Sequence, residues 1–446
     1  MLKPKTHDRE LVLKIWQAGV KAVHPDSLIP PVWDIIGNLG TNTPIQVLGG
    51  GKAGAAMANA LINSAPTWAR LQGIINVPDD QVSLLNVDTG LALHGSRPPG
   101  GNLPTNDGVI GSKRQLNLAA SAPCGTFGIC LLSGGASALM PLPADNIELS
   151  EKLETTRLLQ RAGADIKILN ATRKHLSAIK GGRLAQAWLN SPSGKTKGNL
   201  WTFAISDVVN DDPSVIASGP TVADPTTFHS TWEQLKILGV ASHLPDSVVR
   251  RFRRGVEGTI QETPKYLPGQ FRFHLIGNNK KAIEAASVKA NESNCRVCIF
   301  QKALEGPIED VAKQISGEIL QSKPTPDKPL VLLWGGEPTV VVPPGSGLGG
   351  RNQELALRVG NHLPSDWIAR TTLLCAGTDG EDGPTDAAGG IFDSAALDLI
   401  HETGFNIKEA IESHSSYETH KHLGTLVQTG WTGTNVADLV VAIVRA

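Results

Sequence analysis

The chain has 446 residues, 40% hydrophobic and 19% charged, with a formal net charge of −1. That length and apolar content exclude a disordered chain and predict two or three domains, each with its own core. The near-neutral charge lacks the basic footprint of a nucleic-acid binder, and no apolar run reaches the ~18 residues of a membrane span.

The opening stretch MLKPKTHDRE has no apolar core of a secretory leader. The 5 cysteines are sparse and odd in number, which fits a reducing compartment and a cytoplasmic location. Glycine is the outlier in composition. There are 47, about a tenth of the chain, against a usual ~7%. They follow no collagen period, so they are expected in loops where the backbone turns tightly or approaches something closely.

In chain order, Leu11, Val12, Ile15, Trp16, Val20 and Val23 have the spacing of an amphipathic helix. Short apolar runs then recur as candidate strands: IQVL, GIINV, GICLL, LWTFAI, FRFHLI, CRVCIF, LVLLW, TTLLCA and ADLVVAIV. Helical stretches such as AAMANALINSA, KKAIEAASVKA and IEDVAKQISGEIL lie between many of them. This alternation predicts an α/β architecture with largely parallel sheets. The polar, proline-dotted stretch 241–269 reads as a linker between a domain over 1–240 and a domain over 270–446. Cys295 and Cys298 fall on a strand and face opposite sides of it, so they read as core thiols rather than a redox or metal pair.

The glycines cluster after the apolar runs, where ligands bind in open α/β sheets. Gly49 to Gly54 matches G-x-G-x-x-G between a strand and a helix. It reads as an anion cradle through Gly49 and Gly51, with Lys52 adding charge. Ala53 excludes a P-loop, because a Ser or Thr is needed there for magnesium. As a dinucleotide site the loop needs an acid after the next strand, and Asp79 or Asp80 could serve. Ser133, Gly134, Gly135 and Ser137 form a second loop suited to phosphate or carboxylate. Arg173, Lys174, His175, Lys180 and Arg183 make a basic patch for an anionic substrate. Asp207 opens an acidic loop, SDVVNDD. Gly345 to Glu354 opens a helix with Gly349, Gly350, Arg351 and Asn352, a phosphate site by its N–H groups. Asp379, Asp382 and Asp386 crowd one strand end and read as Mg²⁺ ligands or a general base. Together these parts point to phosphoryl transfer on a small anion.

The runs LLSGGASALMPLP, GADIKILNATRKHLSAIKGGRLA, SDVVNDDPSVIASGPTVADPTTF, GGEPTVVVPPGSGLGGRNQELAL, GTDGEDGPTDAAGG and TGWTGTNVADLVV resemble the glycerate 2-kinase family with its C-terminal MOFRL domain. The resemblance implies two three-layer α/β/α domains with largely parallel sheets and an interdomain cleft shared by the glycine loops. The first domain would be Rossmann-like and the second MOFRL-like, with the N-terminal helix free to pack on the second. It implies ATP- and Mg²⁺-dependent phosphorylation of D-glycerate at its 2-hydroxyl, in a soluble enzyme compatible with self-assembly. Lys52, Arg351 and Asp379 fall on the catalytic positions. Gly49, Gly51, Ser133, Gly134, Gly135, Ser137, Asp207, Gly349, Gly350 and Asn352 would bind nucleotide. Lys180, Arg183, His175 and Glu337 would bind substrate, and Asp379, Asp382 and Asp386 metal.

The chain departs from the family pattern at Ala136, at Asn210 and along His94 to Asn102, where Arg97 adds a cation. Three alternatives stay open: a kinase of a related hydroxy acid, an NAD(P)H-dependent hydroxypyruvate reductase resting on the 49–54 fingerprint, and a silent metabolite-binding protein.

Overall fold

A computed structural model describes residues 5–37, 39–40, 43–85, 90–99, 101, 103–190 and 198–446. Gly100 and Asn102, in the divergent segment, lie outside the described residues. The chain divides into two compact units. Leu28–Ile276 forms a middle unit, and Met1–Ser27 with Gly277–Ala446 forms a split unit.

The middle unit is built on six strands: β1 (Pro44–Gly50), β2 (Arg70–Val77), β3 (Leu91–Gly95), β4 (Phe127–Leu132), β5 (Leu200–Ile205) and β6 (Phe271–Gly277), in the order β3-β2-β1-β4-β5-β6. The pairings β3–β2, β2–β1, β1–β4 and β4–β5 are all parallel. β4 and β5 are buried along their whole length, as expected of strands covered on both faces. The winding direction reverses between β1 and β4. The crevice outside the carboxyl ends of two such strands is where open α/β sheets bind ligands.

Residues 241–269 are not a linker. They carry a helix, Asp246–Val256, that belongs to the middle unit. Its Val248 and Phe252, both fully buried, share a cluster with Leu159, Leu169, Phe228 and Leu235. Asp246, Arg250, Arg253 and Arg254 occupy the rest of the helix, so its composition looks polar while one stripe is core.

The split unit has seven strands: β7 (Arg296–Ile299), β8 (Leu304–Pro307), β9 (Leu330–Thr339), β10 (Thr371–Gly377), β11 (Gly389–Phe392), β12 (Leu426–Val427) and β13 (Asp438–Val444). The order is β12-β11-β10-β13-β9-β7, with β8 also on β9. This corrects the expectation of a largely parallel sheet here. The β12–β11, β11–β10, β10–β13 and β13–β9 pairings are antiparallel, and only β7 and β8 run parallel to β9. The cause is visible between β10 and β11. Their connection, 378–388, holds no helix, and a parallel neighbour needs a long crossover.

Alternation along this sheet builds two cores. Leu330, Leu332, Trp334, Leu373, Cys375, Val440 and Ala442 face the helices Ile308–Gln321 and Arg351–His362. Val331, Leu333, Leu374, Ala376, Leu439 and Val441 face the other way, onto Val12, Ile15 and Trp16 of the helix Lys5–Ala22 and Ala286 and Ala290 of the helix Asn279–Glu292. That apolar stripe is why the N-terminal helix belongs to a unit starting 277 residues into the chain. Of the cysteine pair, Cys295 is buried but Cys298 is exposed on edge strand β7, so only the first is a core thiol. No helix among the described residues is long and apolar enough to cross a membrane.

Trp16 is 1% exposed and its indole N–H donates to the Ala376 carbonyl. Trp16→Ala should destabilise the split unit by about 3–5 kcal/mol, as deletion of a buried aromatic does. Urea unfolding followed by circular dichroism checks this. An unchanged midpoint would show that the helix contributes nothing to that core.

Candidate active site

The loop after β1 spends its backbone donors within the protein. Gly51 N–H donates to the Asn76 carbonyl, Lys52 N–H to the Gly134 carbonyl at 2.8 Å, and Gly54 N–H to the Gly51 carbonyl. Ala53 N–H donates to Ser133 Oγ at 3.0 Å. Gly49 N–H goes to Gln115 Oε1, in a buried amide network with Asn76. The reading of Gly49 and Gly51 as an anion cradle is therefore corrected. A Cβ on Gly51 would lie 2.0 Å from Ser133 Oγ, and one on Gly49 would lie 1.9 Å from the Leu131 carbonyl oxygen. These glycines let β1 and the β4 loop approach; they do not face a ligand.

The loop after β4 has the opposite character. Among the described residues the N–H groups of Gly134 and Gly135 make no hydrogen bond. Gly135 is left-handed, with φ of 77°. A Cβ there would sit 3.2 Å from Lys52 Cγ and 3.4 Å from an Arg97 guanidinium nitrogen. Two cations thus flank a pair of successive backbone donors, a concavity suited to an anion. Arg97 is itself buried at 4% exposure, so the divergent segment delivers its extra cation to this loop. Ser133 Oγ is used by Ala53, and Ser137 Oγ meets Ser218 Oγ at 3.1 Å and Lys180 Nζ at 2.7 Å. Half-buried Asp207 follows β5, the neighbour of β4. Asn210 has φ of 68°, a left-handed position that explains why the family pattern has glycine there and why asparagine is tolerated.

The basic patch divides. Lys174 pairs with Asp224 at 3.3 Å, both side chains buried. His175 is fully buried, bonded to the Ala171 carbonyl and Glu262, with its ring edge-on to Phe228 at 4.5 Å. His175 is a core residue, and its assignment to substrate is withdrawn. Lys180 and Arg183 remain; Lys180 Nζ donates to the carbonyl and hydroxyl of Ser137.

In the split unit, Glu337, Arg351, Asn352, Asp379 and Asp382 do converge, around a residue the sequence reading missed. Asp438, at the start of β13 and fully buried, takes Arg351 Nε at 2.7 Å and Nη2 at 3.0 Å. It also takes Asn352 Nδ2 at 2.9 Å. Arg351 Nη1 reaches Glu337 at 2.8 Å. Burial alone would push the Arg351 guanidinium down, but Asp438 and Glu337 hold it above its ordinary value. The signal for Asp438 was an acid opening the otherwise apolar run DLVVAIV.

Asp382 occupies the helix start that the sequence offered to phosphate. Its oxygens accept the N–H groups of Asn352 at 3.0 Å and Gln353 at 2.8 Å. A Cβ on Gly350 would fall 2.2 Å from the Asp382 carboxyl carbon, and one on Gly349 would fall 2.0 Å from Ser416 Oγ. Asp382 thus takes two of the donors at this helix start, and Gly349 and Gly350 let Ser416 and Asp382 approach closely. Asp386 is held by Tyr417 and Gln428. Among the described residues no group of three His, Cys, Asp or Glu side chains is placed to hold a metal. The predicted set Asp379, Asp382 and Asp386 is therefore not assembled. Asp379, at 8% exposure, keeps a place beside Asn352 at the end of β10.

The middle unit thus carries a doubly wound α/β sheet with two N–H groups open at its switch point, and the split unit carries an arginine–carboxylate cluster. Residues 11–253 match a family described as a domain of unknown function (DUF4147), and residues 330–438 match the MOFRL family. Glycerate 2-kinase of Pyrococcus horikoshii is 36% identical, over 90% of this chain and 88% of its own. The crystal structure of glycerate kinase from Thermotoga maritima aligns with a TM-score of 0.83 at 31% identity, covering 98% of this chain and 100% of that one. A protein of Agrobacterium vitis with a provisional hydroxypyruvate reductase name is 32% identical, over 97% of this chain and 93% of its own. The chain belongs to the glycerate 2-kinase family with a MOFRL domain.

Asp382 makes the acidic cluster sensitive to pH. Burial raises its carboxyl to about 7, against the pull of the Asn352 and Gln353 N–H groups and with a push from Asp438. A raised carboxyl binds its proton better in the folded state. Its stabilisation is complete below the ordinary range near ~4 and is lost as pH rises through about 7. Asp382→Asn keeps a capping oxygen without the charge. Between pH 5 and pH 8 the wild type should lose more unfolding free energy than Asp382→Asn. Equal losses in urea titrations would show that Asp382 does not titrate in this window.

Proposed function

We propose that the chain is a glycerate 2-kinase, transferring the terminal phosphoryl group of ATP, with Mg²⁺, to the 2-hydroxyl of D-glycerate. The observation that carries this is the match along nearly the whole chain to proteins named glycerate kinase. The nest at Gly134 and Gly135 supports it, because phosphoryl transfer is mostly positioning and charge neutralisation.

In this reading the N–H groups of Gly134 and Gly135, with Lys52 and Arg97, hold phosphate oxygens. Arg351 is fixed by Asp438, while its contact to Glu337 is exposed. An exposed pair is worth roughly 0–1 kcal/mol, so an anion oxygen displaces Glu337 at small cost. Asp379 accepts the proton of the attacking hydroxyl or holds Mg²⁺. A kinase Mg²⁺ takes one or two carboxylates beside phosphates and waters, and Asp379 fits that demand where Asp382 and Asp386 do not. Bound Mg²⁺ would supply charge neutralisation on the phosphates.

The hydrogen bonding disfavours the reductase. A dinucleotide fingerprint presents open N–H groups to a pyrophosphate, and the loop after β1 has used its own at Gly51, Lys52, Ala53 and Gly54.

With ATP, Mg²⁺ and D-glycerate, phosphorus NMR should show 2-phosphoglycerate accumulating. Its absence, or steady NADH oxidation by hydroxypyruvate, would overturn the reading. Lys52→Ala and Arg351→Lys should each lower kcat/KM by ~10²-fold, as loss of a charge stabiliser or of a bidentate fork does. Near-wild-type kinetics in either would remove that residue from the mechanism.

A further inference from the structure

Five cations gather in the middle unit beside the β4 loop. Lys152 comes from the helix Leu149–Arg161, Arg173 from Ile166–His175, Arg183 from Arg183–Leu189 and Arg251 from Asp246–Val256. Lys180 lies in the intervening turn. They are mutual neighbours: Arg173 and Arg251 act on Lys152, Lys152 and Arg173 on Lys180, and Arg183 on Arg251. Lys152 is 6% exposed and Lys180 2%.

Such burial is costly for a charge without a counter-ion. Among the described residues none of the five is ion-paired with a carboxylate. Of the acids around Arg183, Asp224 is committed to Lys174 and Glu262 to His175. Asp145 alone is shared with Arg251. The cations instead meet neutral acceptors. Lys152 donates to the Pro141 carbonyl at 2.9 Å, Lys180 to Ser137, and Arg251 Nε to the His175 carbonyl at 2.7 Å. Lys180 uses two of the three donors of an ammonium in this way, and Arg183 Nη2 reaches the Gln261 carbonyl. Among the described residues the buried Arg183 Nε has no hydrogen-bond partner.

We propose that Lys152, Arg173, Lys180, Arg183 and Arg251 form an oxyanion pocket that seats the carboxylate of the acceptor acid. The proposal rests on the kinase reading above and assigns its acceptor subsite. Ser137, which holds Lys180, lies two residues beyond Gly135, which adjoins Lys52 and Arg97. The carboxylate and 2-hydroxyl of a 2-hydroxy acid are on adjacent carbons. An acid anchored at one end of this loop keeps its hydroxyl close to the phosphate nest at the other. Burial, and then Arg173 and Arg251, lower Lys152 to about 7, consistent with a site that lacks its own counter-charge.

Lys152→Met and Arg173→Met test this by thermal unfolding and steady-state kinetics with D-glycerate, inorganic phosphate and ATP. Without added anion, both variants should match or exceed the wild-type Tm, because each removes a cation that has no carboxylate partner among the described residues. D-Glycerate should raise the wild-type Tm and leave the variants nearly unmoved. KM for D-glycerate should rise roughly tenfold or more, the effect of losing a charged hydrogen bond, with KM for ATP unchanged. A lower Tm with wild-type KM for D-glycerate would overturn the proposal in favour of a structural role. A rise in KM for ATP alone, or a Tm response to phosphate and not to D-glycerate, would also overturn it. If the wild type binds D-glycerate in this manner but transfers no phosphoryl group, the kinase reading fails and the pocket stands.

Discussion

The middle unit depends on how closely the end of β1 approaches the start of the β4 loop. Gly51 has no side chain, so Ser133 Oγ occupies the space a Cβ would need and accepts the Ala53 N–H. The same contact brings Lys52 N–H onto the Gly134 carbonyl and lays the Lys52 side chain against Gly135. One close approach therefore does two things. It closes the first loop to ligands by spending its donors, and it places a cation over the second loop, whose donors stay open. Among the described residues, the N–H groups at the switch point that lack an acceptor are therefore those of Gly134 and Gly135 rather than those of the fingerprint loop.

The split unit handles charge by the opposite logic. Its cluster is acidic and gathered around a single arginine, with fully buried Asp438 as the hub. Removing one partner of such a buried pair leaves an uncompensated charge and is strongly destabilising. Arg351 is therefore held mainly from its Asp438 side, its Glu337 contact being the more exposed. Asp382 meanwhile neutralises the partial positive charge of the helix start. The middle unit, in contrast, gathers Lys152, Arg173, Lys180, Arg183 and Arg251 with no carboxylate ion pair among the described residues.

Much of this was legible in the sequence. The strand–helix alternation gave the doubly wound sheet, and the apolar spacing of Leu11 to Val20 marked a real helix. Motif order located Lys52, Arg351, Glu337 and Asp379 in the loops that carry the two clusters. What hid was long-range. Lys152 sits in a helix whose composition looks like any solvated surface, and Arg251 lies in a stretch that reads as a linker. Their role appears only when four helices bring them beside Lys180. His175 and Lys174 erred the other way. In sequence they extend a basic run, whereas in the fold Glu262 and Asp224 claim them. The antiparallel pairing of β10 with β11 escaped because strand periodicity carries no direction; only the missing crossover helix records it.

The glycine excess shows why spacing underdetermines chemistry. G-x-G-x-x-G and the run at 345–350 look equally suited to phosphate, yet hydrogen-bond accounting distinguishes them. A backbone donor is available to a ligand only if the fold has not already used it. At 49–54 the carbonyls of Asn76 and Gly134 and the hydroxyl of Ser133 have used it, and at the helix start of Arg351 the carboxylate of Asp382 has taken the Asn352 and Gln353 N–H groups. At Gly134 and Gly135 it is unspent. This ordering supports the proposed phosphoryl chemistry over hydride chemistry without appeal to motif names. A nicotinamide dinucleotide needs the first loop, which is closed. A phosphoryl group needs only a short concave run of N–H groups with cations beside it, and Gly134 and Gly135, flanked by Lys52 and Arg97, are such a run.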